Sequence, residues 1–368
     1  MKRRTFLTTS AAALGGAAAS AELSAPLYAK GKRRLKMVTT WPKRFPGLGT
    51  RAEQLAEDIE TATDGRIKIK VYAANELVPA LGVFDAVSAG KADIYHGADY
   101  YWQGKHQAFA FFAAVPFGLN AMEMSQWINF GGGQELWDEL AGGFNLKSLI
   151  CCTTGVQMGG WYKKEINSLA DFKGLRIRIP GLGGEVLKRL GATPVTKAGG
   201  EIFLALSQGN IDASEWVGPW NDMAFGFQNI TKHYYTSAFH EPGPAIAAGF
   251  NLEVWNSFSK ADQALISAIA GDNYQKSLAE YNARNAQSMK VLVEKHGVEL
   301  KTFSEEIMLA LIKTSDEVMQ ELGQTDDMTR RIYNSYMDTR RAAMAWSKVA
   351  DEPYLTSRRL YENFGKRL

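Results

Sequence analysis

Cysteine is nearly missing from this chain. Only two occur among 368 residues, and they are neighbours, Cys151-Cys152. A disulfide between adjacent residues is strained, and successive side chains of a strand face opposite ways. Neither a disulfide scaffold nor a cysteine metal centre is supported, and two free, buried thiols are expected in an apolar strand over 149–154. Histidine is scarce as well. The five at 96, 106, 233, 240 and 296 show no metal-ligand spacing, and His96 and His240 read as satisfied structural residues. G-x-S-x-G, H-E-x-x-H, a P-loop and a G-x-G-x-x-G after a strand are all absent, which removes the usual grounds for an enzyme. No excess of one charge exists: 42 Lys and Arg face 39 Asp and Glu, and Lys2, Arg3 and Arg4 sit in the leader. That balance argues against a nucleic-acid surface. Beyond the leader no apolar run reaches the ~20 residues of a membrane span.

The leader is the clearest address. Arg3-Arg4-Thr5-Phe6-Leu7 has the twin-arginine form, and a small-residue stretch of moderate hydrophobicity comes next. Residues 1–29 are therefore expected to be a Tat signal peptide, cleaved after 21 or 29, directing the protein to the periplasm.

The most informative internal feature is a phrase written twice. Phe84-Asp85-Ala86-Val87-Ser88-Ala89-Gly90-Lys91-Ala92-Asp93 returns as Phe203-Leu204-Ala205-Leu206-Ser207-Gln208-Gly209-Asn210-Ile211-Asp212. Apolar residues at helical spacing, a glycine stop and an apolar–Asp lead into a strand describe one α/β unit. The interval exceeds any solenoid period, so two similar α/β lobes are expected. Ligands of open α/β sheets bind beyond the strand ends, which directs attention to the residues just past each copy.

The expected fold class is α/β, two lobes with long C-terminal helices. Lobe 1 takes 30–144 plus part of 240–300, and lobe 2 takes 145–239, beginning with the cysteine strand. Residues 300–368 supply helices for bracing or dimerisation. Ser259 with Asp262 marks a capping-box start for a helix running to about Lys295. Further helices span 305–322 and 327–348, the latter with Met328, Ile332, Tyr336 and Met344 on one side and a stop at Pro353.

Three elements carry candidate chemistry. Gln157, among glycines just past the cysteine strand, can face a cleft; an ordinary loop amide is the competing reading. Arg178, near the end of Arg176-Ile177-Arg178-Ile179, needs an anion, and a carboxylate taken bidentately satisfies it best. A structural Arg–Asp pair competes, with Arg176 the candidate for it. Glu215-Trp216, with Trp220 and Asn221 behind, puts a carboxylate among aromatics, which is costly without a cationic partner. Glu215, the Gln157 amide, a main-chain carbonyl and Glu241 would make a hard-cation site; the alternative is that Glu215 pairs with Arg178.

Leu169-Ala170-Asp171-Phe172-Lys173-Gly174-Leu175-Arg176-Ile177-Arg178 and the F-x-A-L-S-x-G-x-I-D phrase resemble the solute-binding proteins of tripartite ATP-independent periplasmic (TRAP) transporters. Trp41-Pro42, Tyr100-Tyr101-Trp102, Gln157 and Glu215-Trp216-Val217-Gly218-Pro219 are similar to the 2-oxoacid (α-keto acid) binding branch. The resemblance implies that Arg178 grips a ligand carboxylate. It implies that Gln157, Glu215 and the Trp216 carbonyl bind a cation with Glu241 in the same shell, sodium in the pyruvate-like case and calcium in a related lactate subgroup. Asn221 and Tyr100 or Tyr101 would contact the oxo group or close the pocket. It also implies a two-lobed periplasmic-binding-protein fold with a hinge, delivery to membrane permease subunits and a homodimer through the C-terminal helix. A TRAP protein for lactate with calcium or another organic acid is the alternative, and an exported lyase or isomerase with Glu215 as base is the rival class.

Overall fold

The computed structural model describes residues 31–236 and 238–365, so the leader expectation lies outside the described residues. Eleven strands are described: β1 (Arg33–Thr39), β2 (Ile67–Tyr72), β3 (Ile94–Gly97), β4 (Leu146–Thr153), β5 (Gly160–Tyr162), β6 (Arg176–Arg178), β7 (Thr193–Val195), β8 (Ala213–Ser214), β9 (His233–Tyr235), β10 (Ala245–Asn251) and β11 (Glu299–Lys301). They form two sheets, ordered β2-β1-β3-β10-β4 and β11-β9-β5-β8-β6-β7.

The repeated phrase does the same work in both sheets. Gly90 and Gly209 take φ of 70° and 77°, the left-handed conformation that ends a helix. Asp93 then clips its strand to β1: its N–H donates to the Lys36 carbonyl at 3.0 Å, and its Oδ2 accepts from the Lys36 N–H at 2.7 Å. Asp212 repeats both bonds with Arg176 of β6, at 2.7 and 3.2 Å. The strand after each phrase runs parallel to the strand so clipped, β3 to β1 and β8 to β6.

The cysteine strand differs from expectation. Its sequence position suggests the opening of the second lobe, but β4 pairs antiparallel with β10 in the first sheet. A strand buried along nearly its whole length reads alike in either sheet, so nothing local identifies its partner. Both cysteines are free and buried, and burial pushes the Cys152 thiol up to about 12.

The chain passes between the sheets through 154–159, 238–244 and the 37-residue helix Lys260–His296. Ser259 caps that helix, its Oγ accepting from the Asp262 N–H at 3.0 Å. Side chains along the helix stitch both sheets. Asn273 donates to the Cys151 carbonyl at 2.8 Å and Ser277 Oγ accepts from the Thr153 N–H at 2.9 Å. Further along, Asn285 Oδ1 accepts from the Trp220 N–H at 3.0 Å. Helix Glu305–Leu322 packs on helix Gly181–Arg189, where Arg189 makes a bidentate pair with Glu321.

Helix Asp327–Ser347 returns to the first sheet's helices, and the Tyr336 hydroxyl accepts from the Leu119 N–H at 2.8 Å. Pro353 does not end the C-terminal helical region. It lies in the first turn of a further helix, Asp351–Gly365, where a missing N–H costs nothing. Met344, expected on the packed side, is exposed. Among the described residues no helix is long and apolar enough to cross a membrane.

Candidate functional site

Arg178 closes β6, and Glu215 comes directly after β8, its neighbour in the second sheet. The Glu215 N–H donates to the Arg178 carbonyl at 3.2 Å, so both side chains emerge past two parallel strand ends. The two pair directly, Arg178 NH1 to Glu215 Oε1, with side chains 1% and 0% exposed. The same nitrogen donates to the Glu215 carbonyl at 3.2 Å, and Nε donates to the Lys197 carbonyl at 3.2 Å. The guanidinium lies 5.0 Å over the Trp216 ring. Burial works against its charge, but Glu215, then the two tyrosines and Glu241, hold it above the usual arginine range. Arg176, two residues earlier, is exposed and forks onto Asp212 at 2.9 and 2.6 Å, the purely structural role.

The two crossing segments bring Gln157 and Glu241 to the same place. The Gln157 N–H donates to the Glu241 carbonyl at 3.2 Å, and Gln157 Nε2 donates to Glu241 Oε2 at 2.7 Å and to Thr154 Oγ1 at 3.2 Å. Gln157 Oε1 is left buried without a partner. Burial first, and the Glu215 charge second, push the Glu241 carboxyl well above the usual carboxylate range; Arg178 and Tyr100 partly offset them.

His240 corrects the sequence reading. Its Nε2 lies 3.3 Å from Glu215 Oε2 without hydrogen-bond alignment, and neither ring nitrogen has a partner. Glu215, His240 and Glu241 present ligand atoms within 4.8 Å of one another. The adjacency of His240 to Glu241 was the one available signal. His96 is also only half satisfied: its Nδ1 accepts from the Trp41 indole N–H at 2.7 Å, while Nε2 has no partner.

The first sheet covers this group. Tyr100 and Tyr101 ride on the 3₁₀ turn Asp99–Trp102 after β3, and the Tyr101 hydroxyl accepts from Arg178 NH2 at 3.3 Å. Burial raises both tyrosines. Trp41 and Phe45, from the loop after β1, meet Trp216 edge-on at 6.1 Å each, and Phe45 stacks on Phe225 at 4.3 Å. Gly199 is required opposite them, because a Cβ there would come within 2.4 Å of the Trp216 ring. Asn221 stands slightly apart. Its Nδ2 donates to the Pro46 carbonyl at 2.9 Å and its Oδ1 accepts from the Tyr281 hydroxyl at 2.9 Å, so both ends of the amide are engaged.

Sequence reasoning thus named Tyr100, Tyr101, Gln157, Arg178, Glu215, Trp216 and Glu241, which the structure brings together, while Asn221 joins the loop after β1 to the long helix. The donor chemistry suits a hard cation. Gln157 Oε1 and Glu215 Oε2 are buried and unpartnered, and among the described residues no hydrogen bond ends on the Trp216 carbonyl. An anion-seeking guanidinium beside unpaired oxygens calls for an anion and a cation together.

Comparison with known proteins agrees. The sequence profile of the family described as bacterial extracellular solute-binding protein, family 7, matches residues 37–326. A protein of Nostoc sp. named monocarboxylate 2-oxoacid-binding periplasmic protein is 39% identical over 358 residues, covering 96% of this chain and 98% of the relative. A crystal structure of a TRAP periplasmic solute-binding protein from Pseudoalteromonas atlantica with bound sodium and pyruvate is 36% identical. Its TM-score is 0.86, covering 89% of this chain and 99% of that one. A TRAP solute-binding protein from Bordetella bronchiseptica, a mixed-occupancy dimer with calcium and picolinate in its bound site, is 33% identical. Its TM-score is 0.88, covering 92% and 100%. The chain belongs to family 7 of the bacterial extracellular solute-binding proteins, which are transport components and not enzymes. The family works outside the cytoplasm, with a TRAP membrane permease as its partner.

Proposed function

We propose that this family 7 protein captures monocarboxylate 2-oxoacids of pyruvate size together with a sodium ion, calcium being the alternative, and presents them to the permease. The observation that carries the reading is Arg178, a fully buried guanidinium at a strand end, facing oxygens that nothing else satisfies. A ligand carboxylate would take the guanidinium edge where NH1 now meets Glu215 and NH2 meets the Tyr101 hydroxyl. A cation would take over Glu215, sharing it with Gln157 Oε1, the Trp216 carbonyl and Glu241, and would screen Glu215 from the anionic ligand.

The ligand class is supported by the relatives and by chemistry. Pyruvate and picolinate, bound by two of them, share a carboxylate with a lone-pair donor next to it, so each can chelate a cation while offering its carboxylate to an arginine. In this chain Tyr101, already on Arg178, and Tyr100, beside Glu241, would meet the 2-oxo group and shut the pocket. Asn221 would contribute by holding the lobes closed. Closure would be a hinge motion of two lobes, one about each sheet, through the crossing segments that carry Gln157 and Glu241.

Export by the twin-arginine route, with cleavage after 21 or 29, belongs to the same reading. So does a homodimer through the C-terminal helix. Trp346, Val349, Tyr354, Leu360 and Tyr361 are each at least 64% exposed there, more apolar surface than a lone helix leaves in water without a partner.

The test is a thermal-shift screen of 2-oxo and 2-hydroxy acids on chelated, desalted protein, with sodium and calcium added back singly. Pyruvate with a cation should raise the transition most. No shift with any 2-oxoacid under either ion would sink the assignment.

A further inference from the structure

One buried carboxylate stands behind the site and is not part of it. Asp222 lies in the first turns of helix Pro219–Phe225, 1% exposed, and no ion pair reaches it among the described residues. Four donors fill its two oxygens. Oδ1 accepts from the Val217 and Gly218 N–H groups, both at 3.1 Å. Oδ2 accepts from the Trp161 indole N–H at 3.0 Å and the Tyr234 hydroxyl at 2.7 Å. The Trp161 and Tyr234 rings stack with centroids 4.0 Å apart, so the far oxygen is gripped by a rigid pair of side chains from β5 and β9.

The near oxygen has the consequence for the site. The Val217 N–H and the Trp216 carbonyl are the two ends of a single peptide group. A trans peptide is planar, with N–H and C=O pointing in opposite directions. Fixing the N–H on Asp222 therefore directs the Trp216 carbonyl away from Asp222, and among the described residues no protein donor takes it. Hydrogen bonds in chains polarise one another, so a carboxyl oxygen accepting at the N–H end raises the electron density of the carbonyl oxygen, most strongly when ionised; burial raises the Asp222 carboxyl to about 7, and its four donors favour the ionised form. Asp222 also braces the other cation-facing loop at one remove, because the Val217 carbonyl accepts from the Met158 N–H at 3.0 Å, next to Gln157.

We propose that Asp222 is a positioning residue for the cation. It aims and polarises the Trp216 carbonyl through the Trp216–Val217 peptide while Trp161 and Tyr234 hold it in place. This rests on the proposed role of the Trp216 carbonyl as a cation ligand. Outer partners of metal ligands typically contribute about 10- to 100-fold in metal affinity.

The test is calorimetric titration of sodium or calcium into Asp222→Asn with pyruvate present, and of pyruvate at saturating cation. The asparagine keeps an acceptor for the two N–H groups and removes the ionisable carboxyl. The expected result is a cation Kd weakened about tenfold or more, with pyruvate affinity restored to within about twofold of the unsubstituted protein once the cation is saturating. A general structural defect would instead weaken pyruvate binding at every cation concentration, and that outcome overturns the inference. So does an unchanged cation Kd in a variant whose parent is cation-dependent; a parent that binds pyruvate equally well without cation overturns the cation reading itself, and this inference with it. Should Asp222→Asn fail to fold, hydrogen exchange on the unsubstituted protein decides. The Val217 and Gly218 amides should gain protection on adding sodium or calcium alone, and no gain overturns the proposal.

Discussion

Arg178 and Glu215 form an ion pair in which neither side chain is more than 1% exposed, at the ends of adjacent parallel strands of the second sheet. A pair so buried contributes little net stability compared with apolar residues of the same shape, yet breaking it by removing one partner is costly. Its retention beside unpartnered oxygens fits a site whose charges are re-partnered by a ligand.

Arg178→Ala should therefore lose pyruvate binding and also lose about 3–5 kcal/mol of stability, because Glu215 is left buried and alone. The double variant Arg178→Met with Glu215→Leu should recover most of that stability and none of the binding. Denaturant unfolding alongside calorimetry separates the two effects; a double variant as unstable as Arg178→Ala would contradict the account.

Gln157→Leu should abolish the stabilisation that sodium or calcium confers. A cation at 100 times its Kd adds about 2.7 kcal/mol to the parent, which is readily seen as a shifted transition. The variant also leaves Glu241 Oε2 without its 2.7 Å donor, so some loss of stability without cation is expected. A variant that still responds fully to cation would remove Gln157 from the ligand set.

Tyr281→Phe should destabilise the chain by about 1–3 kcal/mol, since Asn221 Oδ1 would be left buried with no donor. Because Asn221 also holds the Pro46 carbonyl, the variant should populate more open conformations. The radius of gyration of the ligand-free protein would rise and return to the parent value on adding pyruvate and cation.

Two buried groups of the first sheet give opposite pH signatures. Burial raises Asp99 to about 7, against the hydrogen bonds from Tyr95 and Trp137. The folded chain thus keeps a proton there that the unfolded chain releases near pH 4, and the group's contribution to stability falls as pH rises from about 4 to about 7. Burial lowers His96 to about 3. The unfolded chain takes up that proton near pH 6.5, so the stability from neutral His96 is complete above 6.5 and is lost as pH falls toward 3. Urea unfolding at pH 4.5 and 7.5 should show Asp99→Asn gaining on the parent at the higher pH. The opposite drift would refute the assignment.

Much of this was legible from local pattern. The repeated phrase predicts two equivalent helix–glycine–strand units, and Asp93 and Asp212 make matching pairs of bonds because similar local sequence meets similar local geometry. The capping start at Ser259 and the helix Glu305–Leu322 needed only short-range chemistry. Pro353 misled because proline is excluded from a helix interior but welcome in a first turn, and the two cases differ only in the residues before them. The cysteine strand misled because a strand buried on both faces carries no mark of which sheet it joins.

The sequence by itself determined which residue types could hold a carboxylate and a hard cation: Arg178, Gln157, Glu215 and Glu241 are chemically suited before any fold is known. Only the tertiary structure decided that Arg178 pairs with Glu215, that Gln157 and Glu241 face each other from separate crossing segments, that His240 was left unsatisfied among them, and that Asp222 holds the Trp216–Val217 peptide. These are relations between residues tens of positions apart, set by sheet pairing and by the long helix. Local propensity has no access to them, because burial and hydrogen-bond partnership are properties of the packed chain.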